Sequence, residues 1–154
     1  MRLTQATDYA MAAILDLSQR NGDRNYSIDE ISRKTEIPEQ FLRKIFQVLV
    51  KSGVIRSFKG RGGGISLARS PEDITVTEII IPLQEERGLV RCLREGEYCP
   101  RSSECKASVF WRRIQENLFE LLGRTTIKDI IEGENKNAGE SRKSSGQGPT
   151  VLTG

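Results

Sequence analysis

The 154-residue sequence contains no histidine. That removes every histidine-based triad, every histidine general base and every histidine metal ligand at once. No other base accompanies a thiol in the sequence, so an enzyme is not expected. Long apolar runs are also missing: none approaches the roughly 20 residues that span a bilayer. Asp8 and Asp16 interrupt the apolar pattern near the N-terminus, which therefore has no secretory core segment. A cytoplasmic protein without membrane association is expected. Cysteine is sparse and odd in number, at three, which argues against a closed set of disulfides. In a reducing cytosol such thiols serve as metal ligands or redox sensors.

What is present is unevenly distributed. The net charge is only +3, yet between Ile37 and Arg69 seven cations (Arg43, Lys44, Lys51, Arg56, Lys59, Arg61 and Arg69) face the single carboxylate of Glu39. A basic stretch of this kind suits a polyanion, though a solvated face would carry the same charges.

The periodicity predicts a mainly α fold with a small β-hairpin wing. Ala6, Tyr9, Ala10, Ala13, Ile14 and Leu17 form one helical stripe over 4–19, with Thr4 as N-cap. Ser27-Ile28-Asp29-Glu30 is a capping box that opens a short helix over about 28–34. Pro38 suits the first turn of a third helix, whose buried face is Phe41, Leu42, Ile45, Phe46 and Leu49. Val54-Ile55 and Ile65-Ser66-Leu67 are β-prone runs on either side of the glycine-rich Lys59–Gly64. Three helices and a hairpin in this order describe a winged helix-turn-helix over residues 1–70. Thr75-Val76-Thr77-Glu78 caps a linker helix in 71–87 that runs to about Pro82. The aperiodic stretch 88–107 holds all three cysteines. Residues 108–132 form a long helix, with Phe110/Trp111, Ile114, Leu118, Leu121 and Leu122 on one face, and a short C-terminal helix over Thr125 to Ile131. Residues 133–154 have almost no apolar content and read as a disordered tail.

Two constellations carry chemistry. On the third helix Glu39, Gln40, Arg43, Lys44 and Gln47 share the face opposite the core, as a helix entering the major groove requires. Glutamine can pair with an adenine edge and arginine with a guanine edge, while Lys44 and Lys51 suit phosphates. Lys59 and Arg61 would carry charge to a second contact, with Gly62 and Gly63 allowing close backbone approach. A tight turn would by itself explain the glycines, and no Gly-Lys-Ser/Thr follows, which excludes a nucleotide P-loop. Pro38 and Arg56 complete the candidate DNA-contacting set. In the second constellation the spacing is Cys92-x6-Cys99-x5-Cys105. Three thiolates on one loop can hold an iron–sulfur cluster, which normally takes four ligands. Zinc would accept the same donors without the usual paired spacing, and a thiol–disulfide switch is the third reading.

The stretches Met1-Arg2-Leu3-Thr4, Thr7-Asp8-Tyr9-Ala10, Phe41-Leu42-Arg43-Lys44-Ile45, Lys51-Ser52-Gly53 and Arg61-Gly62-Gly63-Gly64-Ile65-Ser66-Leu67-Ala68 resemble the Rrf2 family of bacterial transcription regulators. With the cysteines, the resemblance covers about residues 1–132. It implies a homodimer of winged-helix domains on double-stranded operator DNA, with the long helix crossing to the partner. It also implies an iron–sulfur cluster, 2Fe–2S or 4Fe–4S, held by Cys92, Cys99 and Cys105. The branch that senses cellular iron–sulfur status has a histidine three residues after the last cysteine, where this sequence has Ser108. The nitric-oxide-sensing branch carries a Thr-Asp-Tyr element and uses its aspartate from the partner subunit. Thr7-Asp8-Tyr9 matches that element, so Asp8 is the expected fourth ligand, with Glu95, Glu97, Glu104 and solvent as competitors. A helix dipole would also favour an aspartate at that position. The expected function is a repressor whose DNA affinity follows cluster state, through a change in the separation of two recognition helices.

Overall fold

The computed structural model describes residues 4–20, 24–84, 86–94, 96–97, 99–100 and 104–133. The Met1-Arg2-Leu3 element, Glu95 and the expected tail beyond Gly133 lie outside these residues. Among the described residues, six α-helices and one antiparallel hairpin follow in the order α1 (Gln5–Gln19), α2 (Ile28–Thr35), α3 (Glu39–Lys51), β1 (Ile55–Phe58), β2 (Gly64–Leu67), α4 (Val76–Ile80), α5 (Lys106–Arg124) and α6 (Ile127–Ile131). Single 3-10 turns punctuate the chain at Pro71–Asp73, Ile81–Leu83 and Arg91–Leu93. The fold is the expected mainly helical one with a two-stranded wing.

Helix α1 contributes Ala10, Ala13, Ile14 and Leu17 to one core, where they meet Ile31 of α2 and Leu42, Ile45, Phe46 and Leu49 of α3. Val54, Ile55 and Ile65 close that core under the hairpin. Thr4 stands at the N-cap of α1, but its hydroxyl meets that of Thr7 at 3.3 Å and bonds no backbone amide. Pro38 lies one position earlier than expected, at the N-cap of α3, where its carbonyl accepts from the amides of Phe41 and Leu42. Phe41 is 39% exposed and packs edge-to-face against Tyr9 at the rim of the core. Helix α4 ends at Ile80, and α5 begins at Lys106, before the expected Ser108.

The capping box at α2 is complete. The Ser27 amide donates to the Glu30 carboxylate at 2.8 Å, and the Glu30 amide donates to the Ser27 hydroxyl at 3.1 Å. The Ser27 backbone bond first, and its hydroxyl second, hold the Glu30 carboxyl below the usual carboxylate range. A carboxylate lowered on folding adds stability above its unfolded pKa and loses it as pH falls through the folded value. Ser27→Ala should therefore cost about 1 kcal/mol at neutral pH, and Glu30→Gln should flatten the acid limb of a stability-versus-pH series read by urea unfolding.

The hairpin pairs Ile55 with Leu67, Arg56 with Ser66, Ser57 with Ile65 and Phe58 with Gly64. Sequence periodicity did not reveal that Tyr26 adds a one-residue third strand, exchanging both backbone hydrogen bonds with Ile65 at 2.9 and 2.8 Å. This bridge fixes Gly64, because a Cβ there would lie 2.6 Å from the Tyr26 carbonyl oxygen. At the tip, a Cβ on Gly63 would lie 2.4 Å from the Phe58 carbonyl oxygen. The glycines are thus required by the turn itself, whatever else they contact. A second bridge joins Thr75 to Thr126, and it seats the fully buried Ile127 of α6 against the α1 core. The chain therefore returns to the winged helix after α5.

Candidate DNA interface and cysteine loop

Helix α3 turns Leu42, Ile45, Phe46 and Leu49 inward and leaves Gln40, Arg43, Lys44, Gln47 and Lys51 exposed. Arg43 and Lys51 line one cleft of about 480 Å³ between α3 and the wing, together with Gln47 and Ser57. Pro38, Arg56, Lys59, Arg61 and Gly62 are exposed, and Gly63 is half-buried. The Gly62 carbonyl accepts from Asn25 Nδ2 at 3.3 Å, which ties the wing tip to the turn before α2. Glu39 carries the only carboxylate of the basic stretch, and Arg43 Nη2 donates to it at 2.6 Å. Such an exposed i,i+4 pair is worth only a few tenths of a kcal/mol, so a polyanion could draw Arg43 away at small cost. Arg43→Ala should weaken operator binding and relax base preference, whereas Lys59→Ala should weaken all duplexes alike and reduce the salt slope by about one. Wild-type titrations from both variants in a fluorescence-anisotropy series would reject this assignment of faces.

The cysteines occupy three different local settings. Cys92 lies in the Arg91–Leu93 turn, Cys99 lies in irregular chain, and Cys105 is the N-cap of α5. All three are free thiols of intermediate exposure. The Glu97 hydrogen bond and charge, with a smaller contribution from Cys99, hold the Arg91 guanidinium above its usual pKa. Arg91 Nε reaches Glu97 at 2.7 Å. Two polar clamps anchor the start of the loop. Gln84 Nε2 donates to the buried Thr7 hydroxyl at 3.0 Å, one residue from Asp8, and the Leu89 amide donates to Gln115 Oε1 of α5 at 2.9 Å. No sequence pattern announced either clamp.

Three soft thiol donors suit a thiolate-held cluster. The carboxylates of the exposed Asp8, Glu97 and Glu104 are harder oxygen donors. Among the described residues, however, no three cysteine, aspartate or glutamate side chains gather closely enough to hold one metal ion. One chain, as described, brings neither the three cysteines nor Asp8 together into a closed shell. Ser108, at the position where a histidine would complete the other branch's site, is buried and donates its hydroxyl to the Cys105 carbonyl at 2.7 Å.

The Rrf2 family profile, described as an iron-dependent transcriptional regulator, matches residues 3–133. The chain belongs to the Rrf2 family. It is 31% identical over 134 residues to the HTH-type transcriptional regulator IscR of Sodalis glossinidius, covering 87% of this chain and 81% of that protein. Among solved structures, IscR of T. potens superposes with a TM-score of 0.66 at 26% identity, covering 95% of this chain and 94% of its own. CymR, the global cysteine regulator of B. subtilis, gives a TM-score of 0.69 at 26% identity, covering 86% and 98%. The protein is accordingly a winged-helix, DNA-binding transcription regulator of the Rrf2 family and not an enzyme. No helix among the described residues is long and apolar enough to cross a membrane.

Proposed function

We propose that this Rrf2-family protein is a cytoplasmic, homodimeric repressor whose affinity for operator DNA is set by an iron–sulfur cluster on the 88–107 loop. Cys92, Cys99 and Cys105 would hold the cluster, and Asp8 of the partner subunit would complete the shell. The observation that carries the reading is the trio of free, half-buried thiols on one loop that is tethered to α5 and follows a linker tethered to α1. When bound, such a cluster supplies a centre that reacts with nitric oxide or oxidants, and a carboxylate ligand would leave it comparatively labile.

The chain's own residues then transmit the loop's state. Leu89 and Gln115 couple the loop to α5, while Gln84 and Thr7 couple the linker before it to the first turn of α1. A shift of α5 across a dimer would alter the separation of the two α3 helices. Half-sites lie about one DNA turn, roughly 34–36 Å, apart, so a change of a few ångströms would spoil simultaneous docking. The domain plan that follows is a DNA-reading unit over 1–70, a linker over 71–87, the sensing loop over 88–107, a dimer-forming segment over 108–132 and a tail over 133–154. The test is anaerobic purification with a visible spectrum and iron, zinc and sulfide assays, followed by operator titration before and after a nitric oxide donor. A colourless protein with stoichiometric zinc and no sulfide would reject the sensor. Unchanged DNA affinity after cluster destruction would reject the coupling.

A further inference from the structure

Most of the large apolar side chains left exposed lie on α5 and α6, but Phe58 stands apart from them on the wing. Its ring is 46% exposed at the end of β1. The residue opposite it across the hairpin is Gly64, which has no side chain to cover the ring. Nor can that cover be supplied by substitution, because the Tyr26 backbone occupies the space a Cβ would need. Phe58 therefore stays uncovered on a hairpin that otherwise presents Arg56, Lys59 and Arg61 to solvent. It also lines a cleft of about 360 Å³ with Gly63 of the wing, Glu39 and Arg43 of α3, and Ser27 at the head of α2.

This position lies between the two elements that approach DNA. With a recognition helix in the major groove and a wing at the neighbouring minor groove, one sugar–phosphate strand runs between them. Its phosphates suit the flanking cations, while its sugars offer only carbon and ether oxygen on the faces between phosphates. We propose that Phe58 packs its ring against the deoxyribose of that strand and so adds a nonionic contact that does not depend on base sequence. The occupant is duplex DNA because the exposed ring stands between the exposed Arg56 and Lys59 of the wing, and its cleft reaches Arg43 on the α3 face, with Asp29 and Glu39 as the carboxylates of that cleft. The inference rests on the DNA-binding reading and extends it to a residue outside the charged set.

The charge bookkeeping separates this contact from its neighbours. Releasing counterions depends on cations that meet phosphates, so removing a ring leaves the salt slope alone. The probes are a duplex enriched from a random pool by the wild-type protein and a mixed-sequence duplex of equal length. Phe58→Ala should bind both about tenfold more weakly, as expected for losing a partly buried aromatic contact, with the slope of log affinity against log salt unchanged. Phe58→Leu should recover part of the loss, and thermal unfolding of both variants should match the wild type because the side chain is half exposed. Wild-type affinity for Phe58→Ala would overturn the proposal, as would a loss confined to the enriched duplex, which would indicate a base contact. A loss explained by a lowered melting temperature and also seen in Phe58→Leu would overturn it too. Failure of the wild-type protein to enrich or bind any duplex would instead reject the DNA-binding reading itself.

Discussion

Replacing any one of Cys92, Cys99 or Cys105 with alanine is expected to reduce bound iron and acid-labile sulfide from near stoichiometric to background. A cluster normally takes four ligands, the protein has only three thiols and no histidine to offer, and no spare cysteine can substitute. Each thiol is half-buried on a loop outside the α1–α3 core, so the variants should keep wild-type circular dichroism and melting behaviour. Loss of colour without loss of fold separates a ligand from a structural residue. Asp8→Ala should behave differently. Its carboxylate is exposed in the first turn of α1 and is hydrogen-bonded by no described side chain, so the substitution should leave a cluster that forms but decays faster in air. A colourless, zinc-loaded wild type beside three cysteine variants that lose the zinc would move the loop to a structural zinc role. Asp8→Ala with an unchanged decay rate would remove Asp8 from the shell.

The legible parts of the fold were those governed by local rules. The α1 stripe, the Ser27–Glu30 box and the buried face of α3 each express a periodicity or cap set by neighbours in sequence, and each stands where the residues placed it. Phe41 departs from its pattern because burial depends on what lies opposite. Tyr9 meets its ring at the rim, so a residue on the apolar stripe remains 39% exposed. The Tyr26–Ile65 bridge was illegible because it joins single residues 39 positions apart with no flanking strand pattern. The Gln84–Thr7 and Leu89–Gln115 clamps escaped for the same reason: a glutamine amide gives no sequence signal about its partner. The cysteine spacing announced donors but not their convergence. Any shell they form would need groups that the described residues of a single chain do not bring together.

That dependence makes the face of α5 the most consequential surface after the cysteines. Phe110, Trp111, Ile114 and Leu121 are between 36% and 57% exposed on one face of the helix, and only Ser108 of α5 is buried. A helix that packs its apolar face inside its own domain would not show this pattern. A contiguous apolar patch of this kind is costly in water and marks an association surface, and stable dimers bury about 800 Å² per partner. Ile114→Glu combined with Leu121→Glu would place two uncompensated carboxylates in such an interface, with penalties of several kcal/mol per unpaired buried charge. The double variant should therefore run as a monomer in analytical ultracentrifugation at micromolar concentration while the wild type sediments as a dimer. Neither altered position belongs to the buried core that holds the α1–α3 helices and Ile127, so the monomer should remain folded. Two losses should follow together: binding to a two-half-site operator, because one recognition helix cannot span both sites, and cluster retention, if Asp8 is donated across the dimer. A monomer that holds its cluster as firmly as the wild type would place the fourth ligand within one chain. A wild-type protein that sediments as a monomer would reject the α5 interface outright.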